Sequence, residues 1–259
     1  MLYHVSLMAP GRRKRPITAF QRRPCTGARP NTTHVSCTTF RLLSLPNPKP
    51  PAVPTEIINP VAYLADLPWQ PSPPRRQRLD QLGSYISQRY PDPVRLVFIC
   101  THNSRRSIIA QVWAAAAAAW FGMEGVETFS GGTEVTAFHP HAVAALRRAG
   151  FAIESGAETD NPTYTLRIGQ GSAPLTLWSK VFDAPDNPAR GFAAVMTCSE
   201  ADENCPYVPG TDLRLALPFD DPKVFDGTPE EQRTYDERVR EIGREIVYAF
   251  SRARHQLMD

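Results

Sequence analysis

The sequence predicts an α/β fold in which a parallel β-sheet carries helices on both faces. From about residue 94 onward, short apolar segments typical of strands alternate with amphipathic segments typical of helices. A helix between two strands returns the chain to the same edge of the sheet, so such strands pair in parallel. The composition, with 42% hydrophobic and 21% charged residues, is that of an ordinary globular domain with appendages.

The first 54 residues differ from the rest of the chain. They contain nine basic side chains, nine prolines and no acidic residue. Arg-rich sequence without acids resembles an organelle transit peptide in composition. We interpret residues 1–54 instead as a disordered Pro/Arg-rich extension, because they offer little that could form a packed core.

The remaining residues are acidic overall, with 20 basic side chains (29 minus 9) against 26 acidic ones. The pI of about 8.6 therefore does not indicate a nucleic-acid partner. No apolar run reaches the roughly 18 residues of a membrane-spanning helix, so no membrane partner is expected. We expect a cytoplasmic protein, in which cysteines indicate chemistry more often than structural disulfides.

Residues 55–93 predict a helical lead-in to the main domain. A short helix is expected over residues 61–67. A second helix is expected over residues 75–90, where apolar side chains recur at helical spacing before Pro91 ends the pattern.

The domain over residues 94–259 contains the predicted sheet. Strands are expected at residues 94–99, 126–130, 192–197 and 213–217. Helices are expected at residues 108–121, 139–149 and about 230–254. The segment 154–178 is polar and irregular, and we interpret it as an insertion or lid.

Cys100 follows the first predicted strand and opens a loop that leads into a helix. In a parallel sheet, ligands bind at this carboxyl edge of the strands. The backbone N–H groups of such a loop and the positive end of the next helix bind a tetrahedral dianion and favour a cysteine thiolate. The alternative for Cys100 alone is a buried, inert thiol.

Arg106 adds a planar guanidinium that matches two oxyanion oxygens. Ser107 can donate a hydrogen bond to the thiolate, and Asn103 suits a left-handed backbone position. We expect Arg105 to be a solvated helix-start residue rather than a second oxyanion clamp. The candidate substrate-binding residues are the other members of the loop: Thr101, His102, Asn103, Ser104, Arg105 and Ser107.

Two further groups of residues follow later strands. Asp221, directly before Pro222, could protonate a leaving oxygen and then activate water; an ordinary Asp-Pro turn is the alternative. Cys198 and Cys205 lie seven residues apart without the further Cys or His ligands of a metal site, so no metal is expected. Two thiols beside an oxyanion-binding cysteine suit a disulfide relay, and one core and one surface cysteine are the alternative.

Three segments, in this order, carry a family resemblance: Cys-Thr-His-Asn-Ser-Arg-Arg-Ser, Cys-Ser-Glu-Ala-Asp-Glu-Asn-Cys-Pro and Phe-Asp-Asp-Pro. Together they resemble the thioredoxin-coupled arsenate reductases, which share the low-molecular-weight protein tyrosine phosphatase fold. The resemblance covers about residues 94–255, and its most specific part is the cysteine-pair segment. It implies a four-stranded parallel sheet flanked by helices.

The resemblance also implies a catalytic role for each matching residue. Cys100 takes the place of the nucleophile, Arg106 that of the oxyanion-binding arginine and Asp221 that of the general acid. Cys198 matches the cysteine that attacks the nucleophile, and Cys205 matches the one that resolves the resulting disulfide.

Asn103 and Ser107 match the loop-shaping asparagine and the thiolate-stabilising serine of that family. The sequence departs from the family at His102, where the loop usually has Gly, and at Arg105, where it commonly has Cys. A side chain at position 102 narrows the conformational choices of the loop and leaves the substrate preference open. No bound cofactor is implied, and thioredoxin is the implied external reductant.

The leading hypothesis is an enzyme that reduces arsenate to arsenite through a relay of three cysteines. The first alternative is hydrolysis of a phosphomonoester, such as phosphotyrosine, through a phosphocysteine. The second alternative is a non-catalytic oxyanion-binding or redox-sensing module in which His102 prevents turnover. Because the two enzymes share Cys100, Arg106 and Asp221, only the cysteine pair separates them.

Overall fold

A computed structural model describes residues 55–168, 173–205 and 207–259, with side chains from residue 60 onward. The predicted extension at residues 1–54 lies outside this range. The central feature is a parallel four-stranded sheet with the strand order β2-β1-β6-β7. Its strands are β1 (Val94–Cys100), β2 (Val126–Gly132), β6 (Phe192–Met196) and β7 (Thr211–Ala216). This sheet confirms the predicted fold class.

Six α-helices and one short 3₁₀ helix (Pro222–Phe225) accompany the described strands. The α-helices are α1 (Thr55–Asp66), α2 (Pro73–Arg89), α3 (Arg106–Trp120), α4 (Pro140–Arg148), α5 (Ser199–Asn204) and α6 (Glu231–Gln256). The helices predicted from periodicity agree with α2, α3, α4 and α6 to within a few residues. Gly150, at a φ of 101°, ends the α4 region as glycine commonly does after a helix.

Alternate residues of β1 point into two different apolar clusters, as strand geometry requires. Leu96 and Phe98 lie in the larger cluster, which buries the apolar faces of α1, α2, α3, α4 and α6. Val97 and Ile99 lie in the smaller one, which is completed by residues of β6, α5 and the neighbouring loops. The sheet is therefore covered on both faces, as the sequence predicted.

The two lead-in helices share this larger core. Leu64 from α1 and Leu82 from α2 are buried in it together with Ile246 of α6. Where α3 crosses α6, the indole ring of Trp113 packs against Gly243, and a Cβ at that glycine would lie only 2.4 Å from the ring atom Cε2. The helices of the lead-in thus stabilise the same core that supports the central sheet.

The prediction of an irregular segment over residues 154–178 is wrong. An antiparallel sheet occupies this region, built from β3 (Ile153–Ser155), β4 (Tyr164–Leu166) and β5 (Leu175–Leu177). Each strand has only three residues, too few to show a convincing alternation in the sequence. The inward-facing side chains of Tyr164 and Leu166 are buried in the larger core, where the Tyr164 ring packs edge-on against Phe138.

Candidate active site

The loop from Cys100 to Arg106 joins the end of β1 to the start of α3, at the carboxyl edge of the sheet. The neighbouring strand β6 ends beside it, because Ile99 pairs with Met196 and Thr197 N–H donates to the Ile99 carbonyl at 2.7 Å. The residues that follow β6 therefore reach the same edge as the loop. This topology brings Cys198 next to the candidate nucleophile.

The thiol of Cys100 is buried and in contact with a hydroxyl group. Cys100 is 3% exposed, and its Sγ lies 3.0 Å from Ser107 Oγ. Asn103 Nδ2 donates to the same hydroxyl oxygen at 2.8 Å. Because Ser107 Oγ accepts that bond, its own proton is free to point at the Cys100 sulfur and stabilise a thiolate.

Asn103 fixes the turn of the loop in two ways. It is the one non-glycine residue with a positive φ among those described, at 45°, and asparagine tolerates this conformation better than most residues. Its Oδ1 accepts a hydrogen bond from the backbone N–H of Lys180 at 2.9 Å. The contribution of Lys180 was not predicted, because it comes from a segment 77 residues away in sequence.

Arg106 is buried, and its guanidinium contacts the segment that follows β7 at the same carboxyl edge of the sheet. Its Nη1 donates to the Phe219 carbonyl at 3.0 Å, and its Nη2 donates to Asp221 Oδ2 at 2.7 Å. The other oxygen of Asp221 accepts the Lys223 N–H at 3.0 Å at the start of the 3₁₀ helix. The structure thus brings Asp221 to the loop that contains Cys100 and Arg106, although it lies 115 residues away from Arg106 in sequence.

Arg105 is not the solvated residue that the sequence predicted. It is 8% exposed; its Nε donates to Tyr235 Oη at 2.6 Å and its Nη2 donates to Asp226 Oδ2 at 2.9 Å. Tyr235 Oη in turn donates to Asp226 Oδ1 at 2.8 Å, and burial raises the pKa of this tyrosine, which keeps its proton available. His139 is close to the same hydroxyl, and burial followed by the charge of Arg105 lowers its pKa.

The backbone of His102 is held in place while its side chain faces solvent. Its carbonyl accepts hydrogen bonds from Ser179 Oγ at 2.9 Å and Thr136 Oγ1 at 3.1 Å. Its φ is not positive, so the loop does not need glycine there. The imidazole Nε2 lies 3.5 Å from Glu134 Oε2 at the rim of the site.

A small pocket is lined by the candidate nucleophile, four other loop residues and the candidate acid: Cys100, His102, Ser104, Arg105, Arg106 and Asp221. The Ser104 hydroxyl donates a hydrogen bond to the Ala137 carbonyl at 2.6 Å, which stabilises the loop. A larger cavity of about 510 Å³ lies between α1, α3, α4 and α6, and it contains none of the predicted catalytic residues. We place the chemistry at the smaller pocket, because the reactive groups converge there.

The second cysteine, Cys198, touches the loop of residues 100–106, which is named the oxyanion loop after the role predicted for it. It is fully buried, and its Sγ lies 3.5 Å from Thr101 Oγ1 and accepts the Ala201 N–H at 3.3 Å. Burial raises the pKa of the Cys198 thiol, and the hydrogen bond with Thr101 partly opposes that shift. Cys198 shares the smaller apolar cluster with Cys100.

The third cysteine, Cys205, lies at the opposite end of α5 from Cys198. It is partly buried and packs against the same apolar cluster, and all three thiols are free. Arg214 holds this end of the helix, because its guanidinium donates to the carbonyls of Cys205 at 3.0 Å and Asp202 at 2.6 Å. The sequence placed Cys205 in a polar loop, and the structure shows that a single short helix separates the two thiols.

Comparison with known proteins agrees with this geometry. The model of the low molecular weight phosphotyrosine protein phosphatase family matches residues 95–162. The arsenate reductase of Bacillus licheniformis is 32% identical over 152 residues, which are 58% of this chain and 91% of the relative.

Two solved structures also align with the chain. An arginine phosphatase from Geobacillus stearothermophilus is 18% identical and covers 64% of this chain and 94% of its own, with a TM-score of 0.41. A thioredoxin-dependent arsenate reductase from Corynebacterium glutamicum is 20% identical and covers 72% of this chain and 80% of its own, with a TM-score of 0.32. The fold assignment therefore depends on the sheet topology itself and not on these superpositions.

Proposed function

The chain belongs to the arsenate reductases of the low-molecular-weight phosphotyrosine phosphatase superfamily, enzymes that use a cysteine on a tetrahedral oxyanion, and from this premise we propose that it reduces arsenate to arsenite through Cys100, Cys198 and Cys205. The observation that carries this proposal is the contact of Cys198 with the oxyanion loop through Thr101. Simple hydrolysis of a phosphate ester needs no thiol at that position.

In the first step, the Cys100 thiolate attacks arsenic and forms a sulfur–arsenic bond. Arg106 and the N–H groups at the start of α3 bind the remaining oxygens. Asp221 donates a proton to the departing oxygen, which leaves as water. The position of Asp221 next to Arg106 supports this role, because it lies beside the group that would hold the oxyanion.

In the second step, the Cys198 thiolate attacks the Cys100 sulfur. The sulfur–arsenic bond breaks, its electron pair stays on arsenic, and arsenite leaves as a disulfide forms between Cys100 and Cys198. Cys205 then attacks Cys198, which releases the Cys100 thiolate and forms a Cys198–Cys205 disulfide. An external dithiol such as thioredoxin takes up this disulfide and returns both cysteines to thiols.

The last disulfide requires α5 to unwind. Cys205 follows Cys198 by seven positions across this helix, and at a rise of about 1.5 Å per residue their Cα atoms are roughly 10 Å apart. A disulfide tolerates a Cα separation of at most about 7 Å. Since α5 has only six residues, little hydrogen bonding opposes its opening.

Phosphate ester hydrolysis is the second candidate, and the family match at residues 95–162 favours it. Here Cys100 takes the phosphoryl group, Asp221 protonates the leaving alcohol, and the same carboxylate then activates water against the phosphocysteine. Neither of the other two cysteines takes part in this reaction.

The variant Cys205→Ser separates the two reactions. We expect it to lose thioredoxin-dependent turnover of arsenate, while cleavage of p-nitrophenyl phosphate persists. Cys37→Ser, which removes a cysteine of the N-terminal segment, is the matched control and should keep both activities. Unchanged arsenate turnover in Cys205→Ser would contradict the relay, and an inactive wild-type protein with both substrates would favour an oxyanion-binding module.

A further inference from the structure

Three side chains with metal-binding atoms meet beside the oxyanion loop, on the far side of Arg105. His141 comes from the first turn of α4, Asp226 from the end of the 3₁₀ helix, and Glu231 from the first residue of α6. One ligand atom from each lies within 4.8 Å of the others. His141 Nδ1 is 3.2 Å from Glu231 Oε1 and 4.0 Å from Asp226 Oδ1.

His141 Nδ1 is a buried nitrogen without a hydrogen-bond partner among the described residues. Its closeness to Glu231 Oε1 does not amount to a hydrogen bond, because the ring is not aligned for one. A cation between this nitrogen and the facing carboxylate oxygen would satisfy both groups. Two ligands of tetrahedral zinc are separated by about 3.3 Å, given bonds of about 2.0–2.1 Å.

Hydrogen bonds from neighbouring groups orient both carboxylates. Glu231 Oε2 accepts the Gly227 N–H at 2.7 Å, so Oε1 is the free oxygen. Asp226 Oδ1 accepts the Tyr235 hydroxyl, and its Oδ2 accepts from Arg105. Hydrogen bonds of this kind orient the carboxylates of metal sites, and a carboxylate oxygen that accepts one can still bind a cation.

The charge of the cluster also suits a divalent cation. Its two carboxylates face one permanent positive charge, the guanidinium of Arg105, and the rings of His139 and His141 are their other neighbours. One imidazole nitrogen with two carboxylate oxygens is a ligand set typical of zinc and similar transition metals, whereas magnesium and calcium prefer oxygen ligands alone.

We propose that His141, Asp226 and Glu231 bind one divalent transition-metal ion of the zinc type, at a site separate from the oxyanion loop. None of the three cysteines of the relay contributes to it. Because Asp226 also holds Arg105, the ion is linked to the loop through a single shared carboxylate. The expectation of no metal rested on the cysteines and did not consider the His-Pro-His sequence at residues 139–141.

Cobalt(II) titration of the reduced full-length chain tests this site, because the absorption spectrum of bound cobalt shows whether thiolates are among its ligands. Binding is followed by calorimetry, and thiolate ligation by the sulfur-to-cobalt charge-transfer band in the near ultraviolet. We expect one tightly bound cobalt ion per chain without that band. His141→Ala and the isosteric Glu231→Gln should each weaken binding by about tenfold or more.

His255→Ala is the matched control, since this histidine is exposed and lies 3.8 Å from a single carboxylate, that of Asp259. It should bind cobalt as tightly as the wild-type protein. Far-ultraviolet circular dichroism shows whether each variant is folded. If His141→Ala is unfolded, the cobalt affinity of Glu231→Gln tests the proposal instead. Absence of binding, equal affinity in the folded variants, or cobalt held only with the thiolate band would each overturn the proposal.

Discussion

Replacing Asn103 with alanine removes the side chain that holds the oxyanion loop in its turn. The Lys180 N–H loses its acceptor, and a buried donor without a partner costs about 1–3 kcal/mol. Alanine must also adopt the φ of 45°, at a further cost of roughly 1–2 kcal/mol. The free energy of unfolding should therefore fall by about 2–5 kcal/mol.

Glycine at the same position separates the two contributions to this loss of stability, the broken hydrogen bonds and the unfavourable backbone conformation. Asn103→Gly loses the same hydrogen bonds but adopts a positive φ freely, so it should be about 1 kcal/mol more stable than Asn103→Ala. In both variants the Ser107 hydroxyl loses the hydrogen bond from Asn103 Nδ2 that leaves its own proton free to point at the Cys100 sulfur. Both variants should therefore cleave p-nitrophenyl phosphate more slowly than the wild-type protein.

Urea denaturation of the full chain, followed by circular dichroism, measures both free energies of unfolding. A loss below about 0.5 kcal/mol in Asn103→Ala would refute the role of the buried hydrogen bonds. Equal stability of the alanine and glycine variants would refute the role of the backbone conformation.

Two further predictions concern the second thiol and the helix packing. Burial raises the pKa of Cys198, and only its thiolate can attack. The single-turnover rate of Cys100–Cys198 disulfide formation, measured by mass spectrometry after acid quenching, should therefore rise up to tenfold per pH unit from about pH 7 to pH 9; a flat profile would contradict this. Gly243→Ala should lower the free energy of unfolding by about 1–3 kcal/mol in urea, because its Cβ would overlap the Trp113 ring; an unchanged value would show that α3 and α6 can move apart.

The positions of the main strands and helices could be predicted from the sequence because each depends on local periodicity. The burial of Arg105 could not, since its two partners Asp226 and Tyr235 lie 121 and 130 residues further along the chain. An arginine next to a helix start usually faces solvent, and only the docking of α6 against the loop reverses this. Sequence alone likewise offered no reason to pair Lys180 with Asn103, because a backbone N–H carries no residue-specific signal.

The ion pair between Arg106 and Asp221 has a consequence for substrate binding under the proposed mechanism. The guanidinium that would hold an oxyanion already donates to Asp221 Oδ2 at 2.7 Å, at a partly buried position. An arriving dianion would face this carboxylate at close range, and like charges at that distance repel. A proton on Asp221 removes the repulsion and converts the carboxyl group into a hydrogen-bond donor to the oxyanion. We therefore expect binding of the oxyanion to be coupled to uptake of the proton that Asp221 later transfers to the departing oxygen.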